Sequence, residues 1–239
     1  GAAIAQGIHQ TLHNLNQHCE FVFGAANRED VTAASIVELY AGAVFLEAAG
    51  VEALALEIGR MRFPCVVANL EKELPLTATW VDHRKTTYAA VQLLAAFGHR
   101  RIGLLTRSLD VFFYRKAFEG YRRGLADAGI AFDDSLVIAS RHLIDSAAAY
   151  VQMRDFLAGH PPPTGFVACR DYLAGGAWRA CEEAGLKVGR DVSIVGFDDV
   201  SWPQPAPFLT TFREPTFDLG AVAAEMLVDR MISGWRPVE

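Results

Sequence analysis

Two adjacent carboxylates, Asp198 and Asp199, follow the apolar run Val192-Ser-Ile-Val195 through Gly196 and Phe197. Gly196 lets the backbone turn without a Cβ penalty, and ligands of open α/β sheets gather just outside the carboxyl ends of strands. An ionised Asp offers only acceptors and takes two hydroxyl protons at once, which suits a hydroxyl-rich small molecule. The competing reading has one carboxylate capping a turn and the other solvated. Asp171 repeats the arrangement behind Phe166-Val-Ala168, and its neighbour Arg170 either binds an anionic group or pairs with Asp171. Asp82 ends a strand of its own and either contacts ligand or caps the helix that begins near Arg84. Phe112, Phe113 and Tyr114 form either a stacking wall or core packing. Trp202, beside the Asp pair, is read as a stacking residue or as packing.

These groups need strands to hold them. Apolar runs predict strands at Phe21–Phe23, Gly42–Leu46, Cys65–Val67, Thr79–Val81, Ile102–Leu105, Leu136–Ile138, Gly165–Ala168 and Val192–Val195, with helical patterns between most of them. Ile4, Ile8, Leu12, Leu15 and Cys19 fall on one face of an opening helix. Gly98, Gly129, Gly185 and Gly234 each follow a helical stretch, as left-handed C-terminal residues do. Alternating β and α with nearly all-apolar strands predicts an α/β fold with parallel sheets covered on both faces.

Of the 239 residues, 51% are apolar and 21% charged, enough for a large core. The net charge of −6 leaves no basic stripe for nucleic acid. Four Cys without ligand-like spacing read as reduced core residues of a cytosolic protein. No run approaches a membrane span. The sequence has no GxGxxG or Walker-type loop, no GxSxG elbow and no HExxH pair, so an enzyme is not expected. His9 and His13 stand i, i+4 on the first helix but have no third ligand, and neither metal nor cofactor is expected.

The ordered set Pro64-Cys-Val-Val-Ala-Asn69, Trp80-Val-Asp82, Gly98-His-Arg-Arg-Ile-Gly103, Glu119-Gly-Tyr-Arg-Arg-Gly-Leu-Ala-Asp-Ala-Gly-Ile130, Phe166-Val-Ala-Cys-Arg-Asp171, Val195-Gly-Phe-Asp-Asp199 and Leu209-Thr-Thr211 resembles the lactose-repressor and galactose-repressor family of bacterial transcription regulators. The resemblance spans nearly the whole chain. It implies two doubly wound parallel-sheet lobes joined by crossovers, of the periplasmic-binding-protein-like type. One lobe would hold residues 1–99 plus 213–239, with its first strand missing, and the other 100–212. A small-molecule effector, a sugar or sugar-like compound, would bind between the lobes and bias their closure. The family also implies a cytoplasmic homodimer with an interface on both lobes, and operator DNA contacted only through a helix-turn-helix segment absent from this chain.

Carried over residue by residue, the resemblance gives Asp198 an effector contact and places Arg115 just before or within the helix that presents an effector-binding Arg, where it either substitutes for that Arg or is a surface residue. His142 falls where relatives place an aromatic ring over the ligand; alone, it reads as a solvated loop residue. Two positions depart from the family pattern. The usual Arg position holds Ala117, and Arg170 replaces an Asn; with Ala117 that wall is expected to be more apolar than in sugar-responsive relatives. The alternative reading is a solute-binding protein of a transport system, monomeric and led by a signal peptide.

Overall fold

A computed structural model of the chain describes residues 2–22, 28–46, 50–70, 74–199 and 209–233. They fall into two compact units, residues 1–81 with 215–239 and residues 82–214. The first unit has a three-stranded parallel sheet in the order β1 (Ala43–Leu46), β2 (Cys65–Ala68), β3 (Ala78–Thr79). Helices α1 (Ala2–Asn14), α2 (Ala33–Leu39), α3 (Glu52–Arg60) and α8 (Thr216–Ser233) pack with it. The expected stripe on the opening helix is realised: Ile4, Ile8 and Leu12 are buried with Val66, Ala68, Ala223, Ala224 and Leu227. Cys19 also packs on this cluster, whereas Leu15 is exposed beyond the helix. Phe21 and Val22 belong to no strand, and the rest of that expected strand lies outside the described residues.

The second unit is a five-stranded parallel sheet in the order β5-β4-β6-β7-β8, built from β4 (Ile102–Thr106), β5 (Val137–Ala139), β6 (Gly165–Ala168), β7 (Ser193–Asp198) and β8 (Thr210–Arg213). Side chains of successive strand residues point to opposite faces, so the sheet feeds two cores. Leu105, Phe166 and Ile194 face α6 (Ser146–Gly159) and α7 (Asp171–Glu183). Leu104, Val167 and Val195 face α4 (His83–Ala96) and α5 (Phe112–Asp127). Gly98, Gly129 and Gly185 take positive φ at helix ends, as expected; Gly234 lies outside the described residues.

The unit boundaries differ from the expected ones. Helix α4 belongs to the second unit, because Ala90, Val91 and Leu94 pack with Ala117, Tyr121 and Leu125 of α5 and with Ile102, Leu104 and Val167 of the sheet. The approach is close: a Cβ on Gly120 would collide with the Arg84 carbonyl oxygen. At the other boundary the returning segment Thr210–Arg213 is a strand that pairs with β7, so residues 213 and 214 stay in the second unit. No strand was expected there, because the run is short of apolar side chains.

Fully buried Tyr121 fixes α5 to the sheet by donating its hydroxyl to the Ile102 carbonyl oxygen at 2.8 Å. Tyr121→Phe is expected to lower stability by about 1 kcal/mol, the net worth of one neutral hydrogen bond, measured by urea unfolding. An unchanged midpoint would show that the bond contributes nothing.

Candidate functional site

The carboxyl ends of β6, β7 and β8 bring several of the candidate groups together. β7 delivers Asp198 at φ 126°, followed by Asp199 at φ 57°, both in the region that side-chain-bearing residues avoid. Consecutive non-glycine residues there mark a backbone held by its surroundings, a condition that clusters at functional sites.

The holding interaction is an ion pair. Arg170, the residue before α7, places Nη1 2.5 Å from Asp198 Oδ1 and 3.8 Å from Glu214 Oε2, and all three side chains are largely buried. The Arg170 guanidinium also lies over the rings of Phe113 at 5.1 Å and Phe197 at 5.7 Å. Burial works against its charge, but Asp198 and Tyr114 outweigh that and keep it firmly protonated. Burial pushes the Asp198 carboxyl up to about 6, with Arg170 pulling the other way and Glu214 and Asp171 adding to the rise. Near neutral pH the pair is therefore ionised. Of the two readings of Arg170, pairing holds, with Asp198 as the carboxylate in place of Asp171.

Asp171 opens α7 and is only 2% exposed. It accepts the Thr211 hydroxyl at 2.6 Å, tying α7 to β8, and a Cβ on Gly196 would collide with its Oδ1. Its place is inside the unit rather than on an open surface. Gly196 is thus required by the carboxylate beside it. Asp82 is the N-cap of α4, accepting from the Lys85 amide at 3.2 Å, with Arg84 and Lys85 side chains at 3.9 and 3.8 Å. The capping reading accounts for these contacts.

Arg115 is exposed on α5, its guanidinium 6.0 Å from the Phe112 ring, whereas Tyr114 and Ala117 of the same helix are buried. His142 is likewise exposed, and its amide donates to Ser140 Oγ at 3.2 Å. Neither joins the cluster around Asp198. Phe113 does, as a ring against Arg170. Trp202 lies outside the described residues.

Sequence reasoning missed His83. Its ring is buried between Phe113 at 5.1 Å and Phe197 at 5.0 Å, and desolvation, aided by Arg170, lowers its pKa to about 4. A signal was present: His83, Thr87, Ala90, Val91 and Leu94 form one helical stripe, and all are buried. His83, Thr87, Ala117, Cys169, Phe197 and Phe212 line a crevice with room for about one water. Glu214 was also missed, since only the β7–β8 register reveals its nearness to Arg170.

Residues 91–239 match the model of the family described as periplasmic binding protein-like domain. The chain belongs to that family. Among curated relatives, this periplasmic binding protein-like domain is 31% identical over 145 residues to the ribose operon repressor of Haemophilus influenzae, covering 60% of this chain and 43% of the repressor. It is 31% identical over 170 residues to the HTH-type transcriptional repressor CytR of Escherichia coli K12, covering 70% of this chain and 49% of CytR. Both relatives are repressors rather than enzymes. The chain spans about half the length of the curated relatives it matches. Solved structures share the fold. The regulator CelR in complex with cellobiose superposes with a TM-score of 0.80 at 24% identity, covering 99% of this chain and 73% of CelR. A LacI family regulator from Enterococcus faecium with bound ribose gives 0.71 at 24% identity, covering 97% and 85%.

Proposed function

We propose that this chain is the effector-binding core of a LacI-type transcription regulator, and that its effector is a sugar or sugar-like molecule bound at the carboxyl edge of the second unit's sheet. The observation that carries the reading is Asp198: a largely buried carboxylate at a strand end, in a strained backbone, held by Arg170 beside two phenylalanine rings. The ribose operon repressor among the relatives, and neighbours solved with ribose and cellobiose, support the ligand class. Effector binding changes operator affinity by favouring one of two arrangements of the protein, the coupling being the ligand's difference in affinity for them. DNA is contacted through sequence outside these 239 residues, and two copies associate. Val222 and Ile232 on α8, and Ile144 and Val151 at α6, leave apolar side chains exposed for that association.

A thermal-shift screen of sugars, polyols, nucleosides and sugar acids tests the reading. An effector at a hundredfold excess over its Kd adds about 2.7 kcal/mol, and a domain of this size moves about 2–4 °C per kcal/mol. Asp198→Asn should weaken the hit roughly tenfold by removing one charged acceptor. A panel with no hit, or one bound equally by the Asn variant, counts against the site. Sedimentation at micromolar concentration is expected to give a dimer; a monomer would sink that part of the proposal.

A further inference from the structure

Helix α1 carries two imidazoles on the side that its packing leaves open. Ile4, Ile8 and Leu12 sink into the core of the first unit, and Gly7 sits so close to α8 that a Cβ there would collide with the Phe217 carbonyl oxygen. Those contacts fix how the helix is rotated. His9 and His13 are therefore held on the exposed face, one turn apart, with their rings parallel to within 5° and their centroids 6.4 Å apart. The Phe21 ring flanks His9, also at 6.4 Å. Neither imidazole makes a hydrogen bond or ion pair among the described residues.

The electrostatics of α1 favour a cation at the same place. Ala2–Asn14 contains no Asp, Glu, Lys or Arg, and His13 is the only basic residue in its last turn. The negative end of the helix dipole is left without a fixed countercharge, and no cation on the helix repels an incoming ion. No further His, Cys, Asp or Glu makes the pair a group of three among the described residues. Cys19 packs on the core cluster, where burial raises its thiol pKa, and Glu20 accepts the Tyr40 hydroxyl at 2.7 Å. An i, i+4 His pair on one helical face still grips a metal, with water in the positions that the protein leaves open. The spacing alone lacked a third ligand; the pinned helix and its missing charge are what the structure adds.

We propose that His9 and His13 chelate one borderline divalent transition ion, zinc, nickel or copper(II), and that the ion clamps the last turn of α1. Each imidazole supplies one nitrogen at about 2.0–2.1 Å, reached by side-chain rotation on a backbone that stays in place. Imidazoles without a carboxylate select these ions over magnesium and calcium, which take oxygen ligands. The site lies in the first unit and goes beyond the effector reading, on which it does not depend.

Zinc titrated calorimetrically into the whole chain, with magnesium as control, tests the chelate. One saturable zinc site is expected and none for magnesium. His9→Gln and His13→Gln should each weaken zinc binding roughly tenfold or more, because either leaves a single imidazole, while His18→Gln leaves it unchanged. All three side chains are exposed, so the fold tolerates the changes. Amide exchange in the last turn of α1 should slow with zinc in the intact chain and in His18→Gln, and not in the other two variants. No saturable binding, or equal binding after either His9→Gln or His13→Gln, overturns the site. A zinc-dependent rise in sedimenting mass that needs both residues shows the pair bridging two copies and overturns the chelate within one chain. Binding through both residues with unchanged amide exchange overturns the clamp.

Discussion

Asp198→Ala is expected to destabilise the chain by about 3 kcal/mol, the low end for breaking a buried ion pair, because it strands the Arg170 guanidinium beside Phe113 and Phe197. Glu214, at 3.8 Å, softens the loss without replacing the 2.5 Å contact. Adding Arg170→Met to Asp198→Ala should recover most of that stability, since the stranded charge, more than the lost attraction, sets the cost. Urea unfolding of the two single variants and the double variant closes the cycle. A double variant no more stable than Asp198→Ala alone would refute the pairing argument. Asp198→Gly separates the backbone contribution: at φ 126° glycine relieves strain that alanine keeps, so the glycine variant should be the more stable of the two.

The second large effect is a pH dependence set by His83. Its pKa drops from 6.5 to about 4 on folding, so between those values the unfolded state holds the extra proton and stability rises with pH. The shift integrates to roughly 3 kcal/mol. His83→Gln should remove that rise. Chemical unfolding of the two proteins at several pH values in that interval measures it, and parallel profiles would show that the imidazole does not titrate as its surroundings dictate.

The strands of the second unit were legible because nearly all are apolar runs between punctuated helices, and burial on both faces leaves little room for polar residues. Strand β8 escaped because Thr210 and Thr211 carry hydroxyls, one of them spent on Asp171. The Asp198 position was legible for the same reason as its strand. Pairing was not: Arg170 and Asp171 are neighbours in the chain, yet one reaches Asp198 and the other Thr211. Asp82 and His83 are neighbours too, and there the carboxylate caps a helix while the imidazole is the group drawn in beside Phe113. Strand-end logic ranks those two the other way round, because it weighs polarity and not the helical face on which each residue falls.

The order in which the chain visits its two units bears on how it is made. The second unit is continuous, and all five of its strands are present once Arg213 has been synthesised. The first unit is not continuous. Ile4, Ile8 and Leu12 of α1 are made before the whole of the second unit, while Ala223, Ala224 and Leu227, which cover them, are made after it. During translation that apolar stripe waits for its partner while an entire sheet is laid down, a sequence-distant contact that forms slowly and leaves adhesive surface in the meantime. Val66 and Ala68 of β2 are already made by then, but the α1 stripe lacks its helical cover until α8 emerges.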